Sequence, residues 1–420
     1  MRMLLTGGNI VTDSGLKKRD IMIDEGRIVS VSPLRIRISD FRNTDYTDLE
    51  KRVIRCDNSF IIPGLTDVHV HFREPGQGYK ETIRTGSMAA AKGGYTAVCT
   101  MPNVSPPPED MESLQTQLDI IEKDAVIKVH PYGKITRGNE LSQMDEMKDL
   151  VAGYSDDGQG VQSDELMEAA MKEAKRLDKI IAAHCEDERY PAGDPQREWA
   201  HIMRDVKLCL KTGCRYHVCH VSTAKSVEII REAKKAGADI SCETAPHYLL
   251  LNGQDVPDEG RFRMNPPLRS ERDREELLKG IADGTIDMIA TDHAPHAPEE
   301  KSGGASGGLP GVSGIESAFP VLYTKLVVTG TITLQRLVEL MAYAPRERFG
   351  LKNMQRPAVA EGQPADLAVM ETGVAHFISS QDFISMGRST PFEGMKVKCR
   401  NIMTLMDGIP VWEAGEQEHR

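Results

Sequence analysis

Eight short apolar runs, separated by amphipathic segments, constrain this chain more than any other feature. The runs are Ile61–Phe72, Tyr95–Met101, Ala125–Tyr132, Leu150–Ser155, Lys179–His184, Tyr216–Val221, Asp239–Thr244 and Asp287–Thr291. Between most of them lie segments with helical spacing of apolar residues, such as Asp164–Leu177, Lys225–Ala236 and Glu271–Asp283. A short strand buried on both faces, followed by a helix, is the unit of a parallel sheet. Eight such alternations without a break predict an α/β fold, a (β/α)8 TIM-type barrel over residues 61–350. Two open doubly wound sheets fit less well, because no domain break divides the eight.

The two ends of the chain read differently. Met3–Gly15 and Asp20–Pro33 are strand-turn-strand patterns with Gly, Asn and Asp at the turns. The charged stretch Arg35–Arg55 reads as an exposed segment, and Val53–Phe60 as a strand leading into the barrel. Beyond Gly350 the helical spacing stops, and short strands are expected within Val359–Thr372, Met395–Leu405 and Ile409–Trp412. Neither end alone has enough strands for a stable sheet. Residues 1–60 and 351–420 are therefore expected to form one small β-sandwich beside the barrel.

The chemistry falls at one end of the runs. Active sites of such barrels form at the C-terminal ends of the strands. Here run after run ends in a candidate ligand: His69 and His71, Asn103, Asp156-Asp157, His184, His220, His247 and Asp292-His293. In a strand, residues two apart face the same side, so His69 and His71 present paired imidazoles. Taken together, His69, His71, Asp157, His184, His220 and Asp292 can bind two divalent ions if one carboxylate bridges them. A bound ion of this kind brings a water's ionisation near neutral pH, and a nearby carboxylate can shuttle its proton. That combination suits amide hydrolysis. His247 and His293 read as supporting or structural groups, and His130, His201, His217, His376 and His419 lie in no motif. Arg73 follows the first histidine pair, where its guanidinium can clamp a carboxylate.

Composition bounds the rest. The net charge of −11 argues against nucleic-acid binding, so an anionic substrate needs local positive groups or a metal. Eight cysteines are scattered without a Cys-x-x-Cys pair, which reads as small buried hydrophobes in a reducing compartment, with disulfides or cysteine metal sites the alternatives. No stretch reaches the ~20 apolar residues of a spanning helix, and no signal-peptide core follows Met1. A cytoplasmic protein that engages neither membrane nor nucleic acid is expected.

The motifs resemble those of the dihydroorotases of the amidohydrolase superfamily, nearly end to end. The resemblance rests on Asp67–Gly76 (DVHVHFREPG), Met101-Pro102-Asn103, Ser155–Gly158 (SDDG), Ala183–Asp187 (AHCED), Cys219–Thr223 (CHVST), Met264–Arg269 (MNPPLR) and Ala290–His296 (ATDHAPH). It implies reversible cyclisation of N-carbamoyl-L-aspartate to L-dihydroorotate in pyrimidine biosynthesis. It implies zinc, with two ions expected over one: His69, His71 and Asp292 on one, His184 and His220 on the other, Asp157 bridging. Many relatives bridge with a carboxylated lysine, and no lysine stands at this motif. Asp157 is preferred to Asp156 by its family spacing to His184. Asp292 would be the catalytic proton carrier. Arg73, Asn103 and His296 would hold the substrate carboxylate, and Asn265 the ring. The Gly-rich stretch Gly303–Gly314 is expected as a loop at the site's mouth. The segment from Glu188 to Pro195 is short for the family. A homo-oligomer is implied, and an aspartate transcarbamoylase is an allowed partner. The rival readings are an allantoinase- or dihydropyrimidinase-type cyclic amidase, which needs no carboxylate clamp, and a non-catalytic partner of aspartate transcarbamoylase, which would have lost metal ligands.

Overall fold

The structure, a computed structural model, describes residues 1–12, 14–33, 51–254, 256–351, 356 and 358–415. Most of the stretch expected to be exposed, Arg35–Arg55, lies outside these residues. The first three barrel strands, Leu65–Val70, Tyr95–Thr100 and Lys128–Pro131, pair in parallel. The third then changes partner. Tyr132 N donates to Thr100 O, Gly133 N donates to Gly153 O, and the stub Gly133–Lys134 pairs with Tyr154–Ser155. Ile180–Ala183, Arg215–Val218, Ile240–Thr244 and Met288–Ile289 continue the parallel ladder. A bridge between Val70 and His293, with His71 N donating to His293 O at 2.8 Å, closes the ring.

The strands are short, and several are buried along their whole length, as Tyr95–Thr100 and Ile180–Ala183 show. Several apolar runs are longer than the strands within them. Leu150–Ser155 contracts to Tyr154–Ser155 because Leu150 N still bonds Met147 O and ends a helical turn. The helices start and stop where local chemistry directs. Asp164–Arg176 is capped by Ser163, which accepts from Leu166 N; it opens with Asp164 and Glu165 and closes with Lys175 and Arg176. That order of charges complements the helix dipole. Its buried residues Met167, Ala170, Met171 and Ala174 form one stripe against the barrel.

Both chain ends meet in one hydrogen-bonded sheet. Its order is Ile409–Glu413, Lys396–Met406, Leu367–Phe377, Ser59–Pro63, Arg2–Thr12, Gly15–Asp24 and Arg27–Ser32, with Lys51–Arg55 parallel to the start of Arg2–Thr12. It has its own apolar cluster, which includes Leu5, Ile21, Ile23, Leu367, Val369 and Leu405. Ser59–Pro63 crosses residue 60, so the sheet runs directly into the first barrel strand through Gly64. A side chain at Gly64 would come within 2.2 Å of Thr96, so only glycine lets the strands approach there. Among the described residues, no helix is long and apolar enough to cross a membrane. All eight cysteines are buried and free.

Candidate metal centre and active site

The barrel brings all six expected ligands to one place, and Asp157 stands at its middle. Asp157 Oδ1 lies 3.4 Å from His69 Nε2, 3.5 Å from His184 Nδ1 and 3.7 Å from His220 Nε2. Its Oδ2 lies 3.5 Å from His71 Nε2. Two groups follow, His69-His71-Asp157 and Asp157-His184-His220, and Asp157 belongs to both. Asp292 Oδ1 joins the first, 3.1 Å from His71 Nε2 and 3.5 Å from His69 Nε2. His220 and Asp292 have φ of 37° and 46°, in the left-handed region that β-strand residues avoid. Such strain at two strand ends, both carrying ligand candidates, turns their side chains into the barrel mouth and is characteristic of functional sites.

The donor set fits a divalent cation. His69 Nε2 and Asp157 Oδ1 are buried and have no hydrogen-bond partner among the described residues. Burial tends to raise Asp157 and Asp292, but the surrounding histidines outweigh it and hold both carboxyls well below the usual range. His184 is pushed up to about 9, because Asp157 and Glu186 outweigh its burial. A cation at this place would replace the protons that these imidazoles otherwise share with the carboxylates. Asp156 has no such role. Its oxygens accept from Ile135 N, Thr136 N and the Thr136 hydroxyl, which ties the fourth strand to the third.

Residues that hold the ligands were less visible in the sequence. Glu243, on the seventh strand, accepts from His69 Nδ1 at 2.7 Å and from His217 Nε2 at 3.1 Å. His69 therefore carries its proton on Nδ1 and presents Nε2 to the centre. His217, which lies in no motif, belongs to this network. Strand alternation gave one weak sign: Ser241 and Glu243 share one face of the run, opposite the apolar Ile240 and Cys242. Glu186 accepts from His184 Nε2 at 3.0 Å. His293 packs behind the site, its Nδ1 accepting from Gly314 N at 3.3 Å. His247 is buried but belongs to none of the ligand groups. A separate group, Cys185-His201-Asp205, is held by Arg204, whose Nε donates to Asp205 Oδ1 at 2.7 Å. That cation opposes metal binding there.

The expected substrate residues are placed unequally. Arg73 is 7% exposed, and among the described residues its guanidinium makes one hydrogen bond, from Nε to Pro295 O at 3.2 Å. Among the described residues, no carboxylate reaches ion-pairing distance of it, although Asp292 and Asp157 act on it from farther away. Asn103 is engaged with the ligands: Oδ1 accepts from His71 Nδ1 at 2.9 Å, and Nδ2 lies 3.4 Å from Asp157 Oδ2. His296 Nε2 lies 2.8 Å from Pro310 O and Nδ1 3.2 Å from Glu300 Oε2, two acceptors of which a neutral ring donates to one. Burial, with Arg73 and Lys80 adding, holds it down to about 4. Asn265 Nδ2 donates to Glu186 Oε2 at 3.1 Å. The expected loop at Gly303–Gly314 contains a helical turn, Gly304–Gly307, and Lys301 Nζ pins its far side through Leu309 O and Gly311 O. A cavity of about 710 Å³ opens beside the centre, lined by Asn103, Lys134, Thr136, Asp157 and Gln162 among others.

Comparison with known proteins agrees with this geometry. Residues 60–411 match the Amidohydrolase family. A dihydroorotase of Enterococcus faecalis is 42% identical over 440 aligned residues, spanning 99% of this chain and 100% of the relative. One from Geobacillus kaustophilus is 41% identical, spanning 98% and 99%. Among solved structures, the L-hydantoinase of Arthrobacter aurescens superposes with a TM-score of 0.86 at 25% identity, covering 99% of this chain and 96% of its own. The dihydropyrimidinase of Brevibacillus agri shares the fold, with a TM-score of 0.84 at 22% identity over 98% of this chain and 95% of its own. A closed barrel with histidines and aspartates converging at its strand ends, and full-length likeness to the dihydroorotases, place the chain in the amidohydrolase family, in its dihydroorotase branch.

Proposed function

We propose that this protein interconverts L-dihydroorotate and N-carbamoyl-L-aspartate. The observation that carries the reading is Arg73, a buried guanidinium without an ion-pair partner among the described residues, at the edge of the ligand cluster. A buried unpaired cation is costly unless a ligand completes it. Dihydroorotate carries a carboxylate that does so; a hydantoin or dihydrouracil ring does not. The family likeness to dihydroorotases supports the same choice.

His69, His71 and Asp292 would hold one zinc ion, His184 and His220 a second, and Asp157 would bridge them. Zinc suits the imidazole-rich donor set. Ions bound there would supply Lewis acidity toward the ring carbonyl and toward a water. Arg73 receives the substrate carboxylate through parallel hydrogen bonds. Asn265 meets the ring, and His296 closes the side beside Arg73. Asp292 is held ionised by its histidine neighbours, and its Oδ2 has no hydrogen bond to a described residue. When water adds to the ring amide, Asp292 takes the released proton and returns it to the departing ring nitrogen. Ring closure follows the same path in reverse.

The experiment is a ring-opening assay on protein supplied with zinc, using L-dihydroorotate, dihydrouracil and allantoin in parallel. The expected result is turnover of dihydroorotate alone, lost on treatment with chelator and regained with zinc. Turnover of a neutral ring would overturn the reading of Arg73. Zinc binding without turnover of any ring would favour a non-catalytic partner of aspartate transcarbamoylase.

A further inference from the structure

Glu186 touches both halves of the site. One oxygen, Oε2, accepts from His184 Nε2 at 3.0 Å and from Asn265 Nδ2 at 3.1 Å. The other, Oε1, lies 3.1 Å from Arg197 Nε, near the start of the helix Gln196–Thr212. Arg197 thus anchors the carboxylate from behind, while its front oxygen serves two donors.

A carboxylate only accepts hydrogen bonds when ionised, and this fixes both neighbours. His184 must carry its proton on Nε2. Its lone pair is then on Nδ1, which faces Asp157 and lies 2.9 Å from His220 Nε2. Asn265 must turn its NH2 toward Glu186. Its carbonyl oxygen, which has no hydrogen-bond partner among the described residues, is then the atom left for a ligand. The space among His184, Glu186, Arg197 and Asn265 offers only about 10 Å³, at the lower limit for a single water. Solvent has little room to replace Glu186.

We propose that Glu186 is a positioning residue that makes His184 an Nδ1 ligand and Asn265 an acceptor for a ring N–H, so that metal affinity and substrate recognition depend on one carboxylate. The substrate half rests on the dihydroorotase reading; the metal half rests only on the ligand cluster. Glutamine at this position cannot serve all three neighbours. If its oxygen faces His184 and Asn265, its NH2 confronts Arg197; if it flips, its NH2 confronts two donors.

The test compares full-length wild type, E186Q, N265A and the double variant. Zinc affinity is measured by competition with a chromophoric chelator, and KM with dihydroorotate. E186Q is expected to weaken one of two zinc ions by roughly 10- to 100-fold and leave the other unchanged. It should also raise KM about tenfold. N265A should raise KM and leave both zinc affinities unchanged. In the double variant KM should match the worse single variant within about twofold, because both changes remove one shared arrangement. Wild-type zinc affinity in E186Q, equal loss at both ions, or KM effects that multiply would each overturn the proposal. A protein that binds zinc but opens no dihydroorotate would overturn the substrate reading, while the zinc comparison still decides the role of Glu186. A wild type that binds no zinc overturns both. Should E186Q melt far below wild type by circular dichroism, E186D, which keeps the charge but shortens the reach, carries the same comparison.

Discussion

Asp156 and Asp157 are neighbours in sequence and equally buried, yet their oxygens meet different partners. Asp156 accepts two backbone N–H groups and a hydroxyl, all from Ile135 and Thr136. Asp157 faces four imidazoles. D156N is therefore expected to lower stability by about 1–3 kcal/mol with zinc content unchanged. D157N should keep the fold and lose zinc; thermal melting and metal analysis of the two variants separate these outcomes. Arg73 belongs to the same scale. R73Q would leave a substrate carboxylate buried without its cation, and kcat/KM for dihydroorotate should fall by roughly 10²- to 10³-fold, on the order of 3–4 kcal/mol. A loss under fivefold in steady-state kinetics would remove Arg73 from the anion site. The histidines and aspartates were legible because each closes an apolar run. Glu243 and His217 were not, because their roles depend on hydrogen bonds between strands, and Glu186 was not, because Asn265 and Arg197 reach it from other elements.

At the scale of elements, the loops after the seventh and eighth strands are joined by one side chain. Lys301 Nζ donates to Arg263 O at 3.0 Å, Leu309 O at 2.7 Å and Gly311 O at 2.7 Å. Arg263 precedes Asn265, and Gly311 packs on His296. The lysine therefore braces two expected substrate residues from outside the site. K301M would take this donor from the Leu309 and Gly311 carbonyls, while Arg263 O keeps Gly311 N. The expected result is a KM for dihydroorotate several-fold higher, zinc content unchanged, and about 2 kcal/mol less stability by denaturant titration. The Gly-rich stretch signals a loop in sequence, but a brace made by backbone carbonyls leaves no trace in residue identity.

At the scale of the whole molecule, the sheet of chain ends and the barrel hold each other. Asn401 Nδ2 donates to Ala91 O at 3.2 Å and Lys92 O at 3.1 Å, and Thr404 Oγ1 donates to Ala91 O at 2.6 Å. These bonds cap the C-terminal end of the barrel helix Ile83–Gly93 with residues from Lys396–Met406. N401A should destabilise barrel and sheet together by about 1–3 kcal/mol. Far-UV circular dichroism and zinc release should then report one shared, lowered transition. Separate transitions would mean that the two parts unfold independently.

Local pattern determined the barrel strands, the helix starts and the end of the chain that bears chemistry. Burial on both faces requires continuous apolar runs, and a strand that ends in a site must end in polar groups, so both are written into neighbouring residues. The sequence could also nominate His69, His71, Asp157, His184, His220 and Asp292, since each sits at a strand end. Only the tertiary structure decided which atoms of these residues face one another. It set Asp157 against four imidazoles, turned Asp156 toward Thr136, and gave Glu243 and Glu186 the protons of His69 and His184. The choices for Asp156 and His69 follow from ring closure and strand register, which bring their partners Thr136 and Glu243 across 20 and 174 positions, a range over which neighbouring residue identities carry no pairing information; Glu186 reaches His184 from two positions away, but only the fold sets the side chains of that loop against each other.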